Sequence, residues 1–333
     1  MNRLDASVLE LDCEHEADRI AQRLREILAG TLHRRGLVVA ISGGIDSSVS
    51  AALAVRAVGA ARVFCLILPE RDSDPDSAAR AGLLADHLGV RAETFDIAPT
   101  LQAIGCYAAR DAAVRRVLPE YGDDWKMKLA IAGGAQGRVN RFRLVARAPD
   151  GSMHERELGL DEYLTVVAAT NFKQRVRKTI EYFHADRLNY AVVGTPNRLE
   201  YDQGFFVKNG DGSADVKPIA HLYKTQVYAL ARHLGLPERL CRAQPTTDTY
   251  SLDQGQDEFY FALPYHAMDL ALWALNHGID ADQLGAALDI APSQARAVYA
   301  DIAAKRRTTR YQHRAPVLLG EVAEIGTSDG ATT

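Results

Sequence analysis

A run of apolar residues, Leu37-Val38-Val39-Ala40-Ile41, breaks into Ser42-Gly43-Gly44-Ile45-Asp46-Ser47 and resumes as Val49, Ala52, Leu53 and Val55 at helical spacing. An uninterrupted apolar stretch is what a strand covered on both faces requires, and such strands belong to parallel sheets. Small residues between that strand and the next helix force a tight strand–loop–helix unit. The same unit is an anion cradle. Backbone N–H groups and the positive end of the helix face the anion, and glycine lets it come close. Asp46 is out of place beside bound phosphates, because like charges repel. A divalent cation between them removes the conflict, so the loop implies Mg²⁺ as well as a nucleotide. The stretch matches neither G-x-x-x-x-G-K-[ST] nor G-x-G-x-x-G.

The rhythm continues. Ile20, Leu24, Ile27, Leu28 and Leu32 give a helix from His15 to about Leu32. After strand 37–41 and helix 46–58, Arg62 to Leu68 reads as a second buried strand, ending in the polar loop Pro69 to Pro75. Helix 75–88, a strand from Ala92 to Ile97, a helix near 166–187 and a strand from Asn189 to Thr195 follow. The alternation predicts an α/β fold, a doubly wound parallel sheet with ligands at the carboxyl ends of its strands. The segment at about 105–165 interrupts it as an insertion. Val139 to Val145 alternates, Pro149-Asp150-Gly151 signals a turn, and Met153 to Leu158 returns, so a β-hairpin is expected. Its Arg138, Arg141, Arg143 and Arg147 either form an exposed face or bind an anion. Beyond residue 255 the chain reads as C-terminal helices, with a helical pair from Ala287 to Lys305 and a frayed tail at 326–333. All 333 residues are read as one domain.

Composition excludes some functions. A net charge of −4 argues against a nucleic-acid binder relying on bulk positive charge. Cys13, Cys65, Cys106 and Cys241 are far apart and form no C-x-x-C, which suits a reducing cytoplasm and neither a disulfide framework nor a zinc site. Cys65 sits in an apolar strand and reads as core. The N-terminus lacks an apolar signal region and no run reaches membrane-spanning length, so a soluble cytoplasmic protein with no membrane partner is expected.

Three further stretches carry candidate chemistry. Gly194-Thr195-Pro196-Asn197-Arg198-Leu199-Glu200 follows the fourth strand, and Glu200 is either a second carboxylate for the cation on Asp46 or a solvated loop residue. Gly204 to Asp215 crowds Lys208, Asp211 and Asp215 between Phe205-Phe206 and an apolar stretch. Lys224 opens a helix, where a cation is disfavoured unless an anion is near. The same holds for Lys173, Arg175, Arg177 and Lys178 if they stand in the opening turns of a helix whose buried stripe is Phe172, Val176, Ile180 and Phe183. Either a phosphate-bearing substrate offsets them or they are solvated.

The glycine-rich hexapeptide resembles the PP-loop of the N-type ATP pyrophosphatases, of adenine nucleotide alpha hydrolase-like fold. With the motifs after it, in this order, the chain resembles the NAD synthetase family from about residue 15 to 316, most specifically from Ala169 to Thr247. The resemblance implies that Ser42, Gly43, Gly44, Asp46, Ser47 and Ser48 bind ATP and pyrophosphate, with Thr195, Lys224 and Thr246 as further contacts. It implies Asp46 and Glu200 as Mg²⁺ ligands, and Asn171, Arg175, Lys208, Asp211 and Asp215 as contacts to deamido-NAD⁺. It also implies a homodimer with that substrate near the subunit interface. Amidation with ammonia suits such a site. Carboxylate is a poor electrophile, but attack on the α-phosphorus of ATP turns it into an acyl-adenylate that releases AMP readily. The site must then stabilise pyrophosphate with metal, lysine and backbone N–H groups, which makes Asp46, through the cation it holds, and Lys224 the catalytic candidates. Asp211 either accepts a proton from ammonium or is a turn aspartate.

The chain departs from the family in the insertion, in Pro196 and Arg198-Leu199, and in Thr246 to Ser251. It carries no nitrilase-like glutaminase domain, so it resembles the ammonia-using form unless a separate glutaminase subunit delivers ammonia. The other readings are an amide synthetase acting on a different carboxylate and a non-catalytic ATP-binding module. A tRNA-modifying relative would want appended basic domains or catalytic cysteines.

Overall fold

The computed structural model describes residues 4–132, 141–243, 250–252 and 263–320. Four strands, β1 (Leu37–Ala40), β2 (Val63–Ile67), β3 (Arg91–Thr94) and β7 (Ala191–Val193), form a parallel sheet in the order β3-β2-β1-β7. Alternation explains why β1 and β2 are apolar throughout. Leu37, Val39, Val63 and Cys65 enter one core, while Val38, Phe64 and Leu66 enter another on the opposite face.

The first core is closed by α1 (Cys13–Glu26), α2 (Ile45–Val58) and α8 (Lys224–His233). Opposite lie α4 (Ala98–Ala103), α5 (Cys106–Arg115) and the 29-residue α6 (Leu160–Leu188). The chain leaves β1 toward β2 and β3, then returns to the other side of β1 as β7. A crevice therefore opens where the loops after β1 and β7 diverge, the place where open α/β sheets bind ligands.

Helix boundaries follow local chemistry. α3 (Pro75–Leu88) starts where the Asp76 N–H donates to Asp74 Oδ1 (3.0 Å) with proline next, and stops at Gly89 in a left-handed conformation (φ 62°). α1 is prolonged by a wider turn at Ile27–Thr31, which accounts for the apolar spacing through Leu32. β3 is shorter than its sequence suggested, because Ile97 is drawn into the core at the start of α4. β7 spans three residues and is bridged to Val216 beyond it. Where a helical pair was expected from Ala287 to Lys305, one helix, Pro292–Thr309, takes up nearly all of that stretch and its partner, Ala281–Leu288, comes before it. Both pack with Tyr265–Asn276 around Met268, Leu272 and Ile302.

The hairpin is a sheet of three antiparallel strands. β4 (Lys126–Ala132), not anticipated, joins β5 (Arg141–Arg147) and β6 (Met153–Glu157) in the order β4-β5-β6. One face carries Met127, Leu129, Leu144 and Ala146 into a core with Val114 and Leu118 and with Val166 of α6. The other face is polar, and there Arg143 meets Glu155 at 3.1 Å. Arg138 and the side chain of Arg141 lie outside the described residues. α5 falls within the interrupted segment, yet its Cys106 and Tyr107 belong to the core of the main sheet.

The buried face of α6 also differs from expectation. Phe172 is 37% exposed and Phe183 60%, while Lys173, Lys178, Glu181 and His184 are buried. The helix begins at Leu160, so residues 170–178 are mid-helix and do not oppose its macrodipole. Nearby carboxylates neutralise the two buried lysines. Lys173 Nζ lies 2.9 Å from Glu70 Oε1 and 2.7 Å from Asp72 Oδ2, and Lys178 Nζ lies 2.7 Å from Glu181 Oε2. Arg110 completes the first cluster, 2.5 Å from Asp72. Among the described residues no helix is long and apolar enough to cross a membrane, and the four cysteines are unpaired.

Candidate active site

The loop after β1 is built so that its backbone can turn and be approached. Gly43 has φ +75°, and a Cβ there would stand 2.4 Å from the Ser77 carbonyl oxygen. Ser47 folds back under the turn, its Oγ accepting from the Ser42 N–H (3.2 Å) and donating to the Gly44 carbonyl (3.0 Å). Ser48 is fully buried, donates to the same carbonyl at 2.8 Å and lines no part of the cavity described below. It braces the helix start from within. Arg80, not singled out from the sequence, donates from Nε to the Gly43 carbonyl (3.2 Å) and borders the cavity. Its position one turn beyond Ser77 on α3 gave no local sign of this.

Asp46 lies in the first turn of α2, where the helix dipole favours a negative charge. Its carboxylate meets the Lys224 ammonium and also accepts from Asn197 Nδ2 at 3.1 Å. Lys224 is 2% exposed. Burial pushes it toward neutrality, but Asp46 and Glu200 outweigh this and hold the ammonium well above its ordinary range. The anion that a lysine at a helix start demands is thus Asp46. Asp269 fixes the start of α8, accepting from the backbone N–H of Lys224 (3.1 Å) and of Thr225 (2.7 Å). Burial raises the Asp269 carboxyl to about 6, against the pull of these donors. Asp269 sits in a distant C-terminal helix, and nothing near it in sequence marked it.

Glu200 is buried rather than a solvated loop residue, at 8% exposure. It also has a local role, because Asn197 and Glu200 form a capping box on the short helix α7 (Arg198–Gln203), with bonds of 3.2 and 3.1 Å. The N-x-x-E spacing was the available signal for Asn197. Both carboxylates border a cavity of about 620 Å³ with Ser42, Gly43, Gly44, Ser47, Thr195 and Lys224.

Asn171, Arg175, Lys208 and Asp211 border the same cavity. Arg175 Nε donates to the Lys208 carbonyl at 3.3 Å. Lys208 Nζ donates to the carbonyls of Tyr311 and Arg314, each at 3.0 Å, tying the C-terminal turn to the loop. Asp211 accepts from the Val207 N–H at 2.7 Å, and burial raises its carboxyl above the usual range. Asp215 is set apart. Its exposed carboxylate accepts from the Val192 N–H (2.7 Å) and from the Tyr182 hydroxyl (3.3 Å), and it lines neither cavity. Thr246 lies outside the described residues.

A second cavity of about 230 Å³ opens at the carboxyl ends of β1, β2 and β7 and shares Ser42, Ser47, Thr195 and Asp211 with the first. Its walls include Ile41, Leu68 and Pro69, and the Lys178–Glu181 pair. A smaller chamber thus joins a wider one at the phosphate loop, and both mix polar and apolar walls. Among the described residues no three His, Cys, Asp or Glu converge as a cation cage. Asp46 and Glu200 nevertheless fit Mg²⁺, which takes one or two carboxylates and fills its shell with phosphate oxygens and water.

The sequence model described as NAD synthase matches residues 16–117 and 148–316. The chain belongs to the NAD synthase family. An NH(3)-dependent NAD(+) synthetase of Rhizobium meliloti is 58% identical over 97% of this chain and 98% of that protein. Another so named, from Mesorhizobium japonicum, is 52% identical over 95% and 100% respectively. In the NMN synthetase structure from Francisella tularensis, the fold recurs with a TM-score of 0.64 at 20% identity, over 93% of this chain and 99% of that one. The stretch that the NAD synthase family model leaves unmatched, 118–147, holds β4 and β5.

Proposed function

We propose that this chain makes NAD⁺ from deamido-NAD⁺, ATP and ammonia, and that the residues around the 620 Å³ cavity carry the reaction. The convergence of Asp46, Glu200 and Lys224 on the glycine-rich loop carries this reading. The adenosine of ATP enters the smaller slot, and its phosphates lie over Ser42 to Ser47. Asp46 and Glu200 would hold Mg²⁺, which when bound screens the phosphates from the carboxylates and balances charge on pyrophosphate.

The acceptor carboxylate lies against Asn171, Arg175 and Lys208, and its oxygen attacks the α-phosphorus. The bond to pyrophosphate breaks and an acyl-adenylate forms. Lys224, kept charged by its neighbours, stabilises the departing pyrophosphate from a water-poor setting where such a charge counts most. Ammonia then attacks the acyl carbon, and the carbon–oxygen bond to AMP breaks. Asp211 receives the proton lost by nitrogen, a role that suits a carboxyl raised above its ordinary range.

The enzyme works as a cytoplasmic homodimer. Leu160, Leu164, Phe172 and Phe183 are exposed apolar side chains of α6, which a second copy would cover. The deciding assay supplies ATP, Mg²⁺, an ammonium salt and deamido-NAD⁺ and counts products. NAD⁺, AMP and pyrophosphate in equal amounts are expected. ADP formation, or AMP release with no amide product, would reject the reading.

A further inference from the structure

The three-stranded sheet has no part in the chemistry above, yet it reaches the cavity. β5 alternates, so Phe142, Leu144 and Ala146 share one face. Leu144 and Ala146 are fully buried against α5 and α6, whereas Phe142, nearer the cavity, is only half-buried. Its ring stacks on Tyr163 of α6, with centroids 3.5 Å apart and planes 14° from parallel. Both rings border the 620 Å³ cavity, beside Val167 and Tyr250. On α6 the positions 163, 167, 170, 171 and 174 form one helical face toward that cavity, running from the aromatic pair to Gln174 at the junction of the two chambers.

The platform is held firmly. The Leu158 N–H donates to the Phe142 carbonyl (2.9 Å), Phe142 stands opposite Ile131 of β4, and Met127 bonds to the Ser251 hydroxyl at 2.9 Å. Phe142 lies in the stretch that the family model does not match and Tyr163 in one that it does, so Phe142 is the half of the aromatic wall that the inserted strands contribute.

We infer that Phe142, backed by Tyr163, forms a stacking wall for a flat heteroaromatic ring of the dinucleotide acceptor, and that the inserted sheet exists in part to supply it. The inference rests on the proposed amidation of deamido-NAD⁺. Aromatic walls hold such rings through their π faces, and alanine in their place costs tenfold or more in affinity. Deamido-NAD⁺ offers two such rings, pyridine and adenine.

The test measures KM for deamido-NAD⁺ and for ATP in the wild type, Phe142→Ala, Phe142→Leu and Phe142→Tyr. Phe142→Leu keeps apolar bulk, which guards against mere unfolding, and thermal unfolding checks each protein. KM for deamido-NAD⁺ should rise about tenfold in the alanine and leucine variants with KM for ATP unchanged, and the tyrosine should restore it to within about twofold. Nicotinate mononucleotide, as a competing ligand, tells the rings apart. A weaker inhibition constant in Phe142→Ala places the pyridine on the wall, and an unchanged one places the adenine there. Acceptor KM within twofold of wild type in both variants, or an equal rise for ATP, overturns the inference while leaving the amidation standing. A wild type that turns over no deamido-NAD⁺ overturns both.

Discussion

Replacing Lys173 with methionine tests how the loop over the smaller cavity is held. The change keeps the side chain's length and removes its charge. Lys173 is 2% exposed and touches Glu70 at 2.9 Å and Asp72 at 2.7 Å, both themselves buried by the fold. At an effective dielectric of about 20, each contact carries roughly 6 kcal/mol of Coulomb attraction, most of it cancelled by desolvation. The asymmetry matters more than the sum. Taking away one partner strands the others, which costs about 3–5 kcal/mol. That is a large share of the roughly 5–15 kcal/mol by which proteins are stable.

Urea unfolding should show the loss. With an m-value of about 3 kcal/mol/M, the midpoint should fall by roughly 1–1.7 M. Combining Lys173→Met with Glu70→Gln and Asp72→Asn should recover much of it, because no buried charge is then left alone. Pro69, Ser73 and Asp74 of the same loop line the smaller cavity, where the adenosine of ATP is proposed to enter, so KM for ATP should rise in the single variant. A loss below about 1 kcal/mol, or a triple variant no better than the single one, would refute the account.

Asp46→Asn and Glu200→Gln should each lower pyrophosphate release by roughly 10²–10³-fold, which stopped-time assays of pyrophosphate read directly. The unfolding midpoint should fall further in Asp46→Asn, which takes the contact partner from the buried Lys224 ammonium, than in Glu200→Gln, where glutamine preserves the capping box. Gly43→Ala forces a side chain to φ +75° and into the Ser77 carbonyl, so ATP affinity measured by calorimetry should fall by about tenfold or more. Asp72 should show in the acid limb of stability. Burial disfavours its charge, but Lys173, Arg110 and Arg71 outweigh this and hold the carboxyl below the ordinary range. Its contribution is therefore complete above the unfolded value of about 4 and disappears as pH falls through the lower folded value. Urea midpoints from pH 7 to 2 should fall less steeply in Asp72→Asn. Arg175→Ala should raise KM for deamido-NAD⁺ more than KM for ATP, and equal rises would remove it from the acceptor's binding wall.

The strands β1 and β2, the glycine-rich turn and helices α2 and α3 were legible along the chain, because burial on both faces, small-residue loops and caps are written within a few neighbouring positions. So was the parallel sheet, since strands alternating with helices have few other ways to pack. Even Lys224 announced its need for an anion. The tertiary structure alone decided that Asp46 meets it, that Asp269 pins it, and that Ser48 and Asp215 stand outside the cavity. The face of α6 was likewise beyond local reading. Apolar spacing pointed to Phe172 and Phe183, yet Lys173 and Lys178 are inside because Glu70, Asp72 and Glu181 await them there. Hydrophobic periodicity is a property of the helix itself. The cost of burying Lys173 depends on partners about a hundred residues away that only the folded chain brings to it, whereas Lys178 takes its partner from the next turn of its own helix.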